Sequence, residues 1–169
     1  MSEQGAATVA DGRYVVDPAN SKAGFRARGG WGLFKVPGHF EEFGGEVNVA
    51  GGQFTASGKA SSSSINTRLG MRDWHLRTGD YLHAKSHPEI GLEVTQGSLA
   101  EGRASAQVSV RGKTVPSELR VEVLEAGGDR LRLKAHGEVA RKAFGMRPPA
   151  FGVGPLIELD LEITAVRSA

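Results

Sequence analysis

The fold is decided by one stretch near the end of the chain, Ile157-Glu158-Leu159-Asp160-Leu161-Glu162-Ile163-Thr164. Apolar and polar residues alternate at every position of this stretch. Successive side chains of a β-strand point to opposite faces, so a period of two predicts a strand with one buried and one solvated face. We therefore expect Leu159 and Leu161 to point inward, and Glu158 and Asp160 to face water.

The same alternation recurs along the chain, at 104–110, 119–123 and 131–139, and in shorter runs around Phe25 and Ile90. Glycine-rich turns separate these runs. Regular strands joined by short turns predict an all-β fold, an antiparallel up-and-down barrel of roughly eight strands. Such a barrel has a lumen that side chains fill or that holds one apolar ligand. Strand parity predicts eight inward-pointing side chains: Phe25, Phe40, Ile90, Leu92, Val121, Leu133, Leu159 and Leu161.

One segment breaks the alternation. Between Gly70 and His87 the apolar residues Met71, Trp74 and Leu82 have nearly helical spacing. We predict a short helical insert around residues 68–83, with Asn66 or Thr67 as its N-cap. Such an insert lies across one end of the barrel or beside its wall.

Length and composition bound the organisation of the chain. Its 169 residues suffice for one domain, so we assign 1–12 to a flexible N-terminal tail and 13–169 to a single barrel domain. There is no cysteine, which excludes disulfides and thiolate metal sites. The formal net charge is only +2, and the charges fall mostly on outward strand faces, so we expect no nucleic-acid partner.

The beginning of the sequence bears on location. MSEQGAATVADG contains neither a basic segment nor an apolar one, so we expect no signal peptide and a soluble, cytoplasmic protein. If a leader was removed, the protein is secreted or periplasmic. No run of about 18 apolar residues occurs, so we expect no membrane span.

Short motifs interrupt the alternation in a fixed order: 14–18 (YVVDP), 36–40 (VPGHF), 72–76 (RDWHL), 80–82 (DYL), 87–90 (HPEI), 110–116 (VRGKTVP) and 143–146 (AFGM). Together they resemble the YceI-like family of bacterial lipocalin-type barrels, over about residues 13–166. The resemblance implies a lumen that binds a polyisoprenoid, a quinone or a related lipid, and no cofactor beyond it. The implied function is to carry or sequester that lipid.

Strand parity and this resemblance together give ten candidate ligand-binding residues. They come from strands, from the loop after the second strand, from the helical insert and from the closing motif: Phe25, Trp31, Phe34, Phe40, Arg72, Trp74, His75, Tyr81, Phe144 and Met146. The loop aromatics line the barrel mouth or plug it. Arg72 either binds a pyrophosphate through its guanidinium or pairs with Asp73 to hold the insert, and His75 has the same two interpretations.

We expect neither a catalytic residue nor a metal site. His83 and His87 have the spacing of a helical metal pair, but Pro88 disfavours a helix at His87. The serines 61–64 lack a G-x-S-x-G elbow. Two alternatives to a lipid carrier remain open: an enzyme that uses His75 or Asp73 as acid or base on an apolar substrate, and a scaffold barrel that binds a partner. A homodimer through an outer face or a strand edge is compatible with either.

Overall fold

The computed structural model describes residues 9–29, 34–146 and 156–168, without the side chains of residues 28, 29, 34 and 35. Within these ranges the chain forms one α-helix and a sheet of eleven strands. The helix α1 is Gly70–Leu76. The strands, in chain order, are β1 Gly12–Val16, β2 Lys22–Gly29, β3 Phe34–Phe40, β4 Phe43–Ala50, β5 Gln53–Ser61, β6 Ile65–Asn66, β7 Glu89–Ser98, β8 Arg103–Val110, β9 Lys113–Gly127, β10 Arg130–Ala140 and β11 Leu156–Arg167.

Eight of these strands close into an antiparallel ring. Their order is β1-β4-β5-β7-β8-β9-β10-β11, and β11 pairs back with β1, with Tyr14 opposite Arg167. The predicted all-β barrel of roughly eight strands is therefore confirmed. The remaining strands, β2, β3 and β6, continue the sheet beyond the first half of β11, where Phe25 lies opposite Leu159.

A 3-10 turn, Pro18–Asn20, separates β1 from β2 and is stabilised by Asp17. The Asp17 carboxylate accepts hydrogen bonds from Ala19 N at 3.2 Å and from Asn20 Nδ2 at 2.7 Å. Before the turn the chain pairs with both β4 and β11, and after it the chain pairs with β11 and β3. The pairing of β4 with β1 covers residues 46–49. In the described part of the chain, residues 43–45 of β4 therefore pair only with β5.

Two apolar clusters pack inside the barrel, one toward each end. The first is centred on Tyr14 and Leu131, which are fully buried, and the second on Phe144. The leucines Leu92 and Leu159 pack against both clusters. They therefore mark the middle of the lumen, between two packed ends.

The helical insert is shorter than predicted: α1 covers only residues 70–76, and the chain to His87 is a series of turns. Its N-cap is Leu69, not Asn66 or Thr67. Thr67 instead donates its N–H and its hydroxyl to Asp73 Oδ1, at 2.8 and 2.6 Å. A helix of two turns is not stable alone, so packing of Leu76 and Leu82 on the second cluster holds it at the barrel end.

The ordered structure extends into the predicted tail. Val9 is buried in the first cluster, and Ala10 O accepts a hydrogen bond from Tyr14 Oη at 2.7 Å. Residues 1–8 of the flexible tail predicted for residues 1–12 lie outside the described residues. In the described part of the chain, no helix has the length and apolarity needed to cross a bilayer.

Candidate ligand-binding site

A cavity of about 180 Å³ lies in the lumen between the two clusters. All eight side chains that strand parity places inside line it, which confirms their inward parity. Glu158, which we expected to face water, is instead buried, opposite Arg26 of β2 and Glu138 of β10. Its apolar lining comes from every strand of the ring and from β2 and β3: Val16, Ala23, Phe25, Phe40, Phe43, Val47, Phe54, Ala56, Ala60, Ile90, Leu92, Val94, Val108, Leu119, Val121, Leu133, Ala135, Leu159, Leu161 and Ile163.

The lumen is incompletely packed. Ile90, Leu92, Leu159 and Leu161 point inward and yet are only half-buried, because part of each faces the cavity. An apolar cavity of roughly 150 Å³ stays dry and takes up apolar molecules. The lumen is thus suited to an apolar guest.

Two paired glycines shape the wall in different ways: Gly45 lets the backbones of β4 and β5 approach closely, since a Cβ there would collide with Ser57 O, and Gly58 leaves space. Gly45 on β4 lies opposite Gly58 on β5. A Cβ added at Gly58 would meet only Gly44 O, at an ordinary 3.5 Å, so the space in front of Gly58 is open. Gly58 alternates in phase with Ala56 and Ala60, whose side chains point inward. The open space in front of Gly58 therefore belongs to the lumen.

The charged residues at the cavity wall point outward. Lys59 alternates with the inward-facing residues of β5, and its Nζ lies 3.6 Å from Glu89 Oε1. Glu46 alternates in the same way on β4 and accepts a hydrogen bond from Arg13 Nε at 2.8 Å. That bond, assisted by one from Asn48, holds the pKa of the Glu46 carboxyl below its usual value. Among the described lining residues, no charged side chain has inward strand parity.

The ten candidate residues are distributed unevenly around this cavity. Phe25 and Phe40 line it, with their ring centroids 5.5 Å apart. Phe144 is buried in the second cluster at the barrel end, and Met146 packs against that cluster. Trp31 and the side chain of Phe34 lie outside the described residues.

The candidates from the insert lie outside the cavity lining. Arg72 donates from Nε to Thr67 Oγ1 and from Nη2 to Thr67 O, both at 2.8 Å, so it ties α1 to the chain before it. Trp74 is 65% exposed. His75 is also exposed, and its ring makes an edge-on contact with buried Tyr81, with centroids 5.2 Å apart.

Sequence reasoning missed the β4–β5 side of the cavity, where Phe43, Gly45, Phe54 and Gly58 contribute to the lining. A signal was present, because glycine inside a strand often marks a place where another group approaches the backbone closely. In the described part of the chain, no three His, Asp or Glu side chains come together as metal ligands.

Comparison with known proteins places this geometry in a family. A UPF0312 protein of Pseudomonas paraeruginosa is 25% identical over 114 residues, which cover 63% of this chain and 60% of that protein. The chain thus spans about 60% of the length of that relative. A UPF0312 protein of Shewanella sp. strain ANA-3 is 24% identical over 174 residues, which cover 96% of this chain and 90% of the relative.

Solved structures share the fold. BcnA of Burkholderia cenocepacia superposes with a TM-score of 0.79 at 16% identity, over 89% of this chain and 99% of BcnA. A polyisoprenoid-binding domain from Saccharophagus degradans, implicated in plant cell wall breakdown, has a TM-score of 0.74 at 15% identity, over 92% and 98%. The model of the YceI-like domain matches residues 14–165, which include the described lining of the cavity. The chain belongs to the YceI-like family.

Proposed function

We propose that this protein binds a long apolar lipid of the isoprenoid type in the barrel lumen, and carries or sequesters it. The observation that carries the proposal is the cavity between the two core clusters, whose described inward-facing side chains are apolar. The polyisoprenoid-binding domain from Saccharophagus degradans supports it, because that domain has the same fold.

The energetics suit an extended hydrocarbon. Burying one CH2 group contributes about 0.8 kcal/mol, so one isoprene unit contributes roughly 3 to 4 kcal/mol before the costs of binding. A prenyl chain therefore gains affinity from many small contacts and needs few polar ones. Aromatic and branched side chains from both halves of the barrel, such as Phe25, Leu92 and Leu159, supply such contacts.

An enzyme in the same cavity has less support. The two groups considered as acid or base, Asp73 and His75, are not part of the cavity lining. Asp73 is buried, and its Oδ1 accepts two hydrogen bonds from Thr67. Its environment is that of a structural carboxylate.

Two glycine substitutions on adjacent strands test the proposal. Gly58 faces the lumen, whereas Gly91 on β7 has the outward parity of Glu93, and an added Cβ there would meet only Ser109 Cβ, at 3.6 Å. Neither glycine has a positive φ, so a β-branched residue fits both backbones. Gly58→Ile fills the cavity, and Gly91→Ile is its matched control.

The measurement is the lipid extracted by organic solvent from each purified protein, quantified by mass spectrometry per mole of folded protein. Wild type and Gly91→Ile should yield an isoprenoid-type lipid in similar amounts, and Gly58→Ile should yield several-fold less. Equal yields from both variants, or no apolar lipid from wild type even after incubation with a polyprenol, would reject binding in the lumen.

A further inference from the structure

Three large apolar side chains are exposed close together at the barrel end that carries α1. Leu69 precedes the helix, and Met71 and Trp74 lie on it three residues apart, on one face. Their exposed fractions are 53%, 82% and 65%. We call Leu69, Met71 and Trp74 the exposed helix face.

The opposite face of α1 already has a partner. Asp73 is buried and accepts a hydrogen bond from the Thr67 hydroxyl, and Leu76 packs against the second cluster. The helix therefore cannot turn its apolar residues inward without breaking these contacts. Isolated exposed apolar residues are ordinary on a protein surface, whereas several exposed close together point to an interaction surface.

The same barrel end has an excess of basic over acidic residues. Its connecting segments, 67–87, 110–113 and 141–146, contain eight Lys and Arg residues, namely Arg68, Arg72, Arg77, Lys85, Arg111, Lys113, Arg141 and Lys142. Their acidic residues are Asp73 and Asp80, and of the charged residues in these segments Asp73 and Arg141 are buried. The turn between β3 and β4 adds two exposed acids at this end, Glu41 and Glu42, and Glu41 accepts a hydrogen bond from Asn66 Nδ2 at 2.9 Å. Contacts between the segments hold them together: Arg111 Nη1 donates to Tyr81 O at 2.8 Å. The exposed cations of this end include Arg68, which directly precedes the exposed helix face, and Lys85 and Lys142.

We propose that the exposed helix face docks this protein on the surface of an anionic lipid bilayer. Tryptophan favours the boundary between headgroups and acyl chains, because its ring is apolar and its N–H is polar. A basic rim is attracted to the negative surface potential of anionic lipids, by about fivefold in affinity for each Lys or Arg near the surface. Apolar and basic groups together form the pattern of an interfacial helix.

Docking in this orientation brings the cavity close to the bilayer. α1 rests on the second cluster, and Phe25 and Phe40, which pack against that cluster, also line the cavity. The inference stands without the proposed function, because docking depends on surface groups and not on what the lumen holds.

Sedimentation with vesicles tests the apolar part of the inference. Wild type should bind phosphatidylcholine vesicles that contain phosphatidylglycerol, and bind pure phosphatidylcholine weakly. Met71→Ser combined with Trp74→Ser should lower the partition coefficient on the mixed vesicles by at least about tenfold, because two large apolar side chains no longer insert. Leu124→Ser, at an exposed apolar residue of β9, is the matched control and should bind as wild type does.

The basic rim has its own test. Lys85→Gln combined with Lys142→Gln should weaken binding by about tenfold or more on the mixed vesicles. Lys22→Gln combined with Lys134→Gln removes the same charge from exposed strand positions on β2 and β10 and should have a small effect. High salt should reduce wild-type binding as well, because it screens exposed charges.

Three results would overturn the inference. Wild type could fail to bind the mixed vesicles, or the Met71/Trp74 variant could bind as tightly as Leu124→Ser. The third result combines two observations. Analytical ultracentrifugation shows that wild type is a dimer and that the Met71→Ser, Trp74→Ser variant is a monomer, and wild type does not bind the mixed vesicles. That result would assign the exposed helix face to self-association. Circular dichroism confirms that each variant is folded, and lipid extraction reports separately on the lumen.

Discussion

The rings of Phe25 and Phe40 lie 5.5 Å apart, centroid to centroid, with their planes tilted by 43°. They belong to adjacent strands, β2 and β3, and both line the lumen cavity. Gly38, also on β3, lies directly under the Phe25 ring, where a Cβ would collide with it. The wall therefore fixes the Phe25 ring from behind, and any larger ring at this position has to extend into the cavity.

Phe25→Trp should reduce the lipid content of the purified protein several-fold while the barrel still folds. The larger indole occupies the lumen, and overpacking of this kind costs about 1 to 3 kcal/mol of stability. Lipid extraction and thermal melting measure the two effects. Phe25→Leu is the control, because it leaves the lumen open and should retain the lipid. A folded Phe25→Trp protein with as much lipid as wild type would show that Phe25 does not border the bound chain.

Asp73→Ala should lower the free energy of unfolding by about 1 to 3 kcal/mol, because the Thr67 N–H and hydroxyl lose their acceptor in a buried place. Lipid bound per folded molecule should stay the same, because Asp73 is not part of the cavity lining. Urea unfolding and lipid extraction measure the two quantities.

Asp73→Asn serves as the control, since it keeps one side-chain oxygen as an acceptor for Thr67 and should be less destabilising than Asp73→Ala. Unchanged stability together with lost lipid would instead assign Asp73 to the binding site.

Phe144→Ala should destabilise the protein by about 3 to 5 kcal/mol, because a fully buried aromatic ring leaves a void in the second cluster. Phe144→Leu should cost less and keep the lipid content of wild type, because Phe144 lies beyond the cavity lining. Denaturant unfolding with lipid quantification checks both statements. A lipid-free but stable Phe144→Leu protein would place this ring on the bound chain.

Glu46 should contribute to stability in a pH-dependent way. Its pKa is lowered in the folded state by the Arg13 hydrogen bond, so its contribution is present above the ordinary carboxyl pKa and is lost as the pH falls through the folded pKa. The pair is exposed, so the effect is small and declines with salt. The difference in melting temperature between wild type and Glu46→Gln should be largest near neutral pH and vanish in strong acid. A difference that grows toward acid pH would contradict this assignment.

Strand parity predicted the lumen correctly because alternation along a strand is local. Leu159 and Leu161 point inward whichever neighbours β11 has, and the same holds for Phe25 on β2. The sequence did not predict that the first half of β11 pairs with β2 and its end with β1. That change of partner depends on the turn at Asp17, which becomes visible only when both strands are in place.

The helical insert was harder to interpret for a physical reason. In an irregular segment, the direction of a side chain depends on tertiary contacts and not on a fixed period. The hydrogen bonds of Thr67 to Asp73 fix how α1 sits on the barrel, and they leave Trp74 facing outward. Spacing alone could not distinguish an aromatic residue that lines a cavity from one on the surface.

The most direct test of lipid binding in the lumen is anomalous diffraction from crystals of the protein loaded with a polyprenol that carries a terminal bromine. Occupation of the lumen predicts elongated electron density within the barrel, bordered by Phe25, Phe40, Leu92 and Leu159, with the bromine peak on its path. A bromine peak confined to the outer surface of the barrel, with no chain density in the lumen, would contradict it.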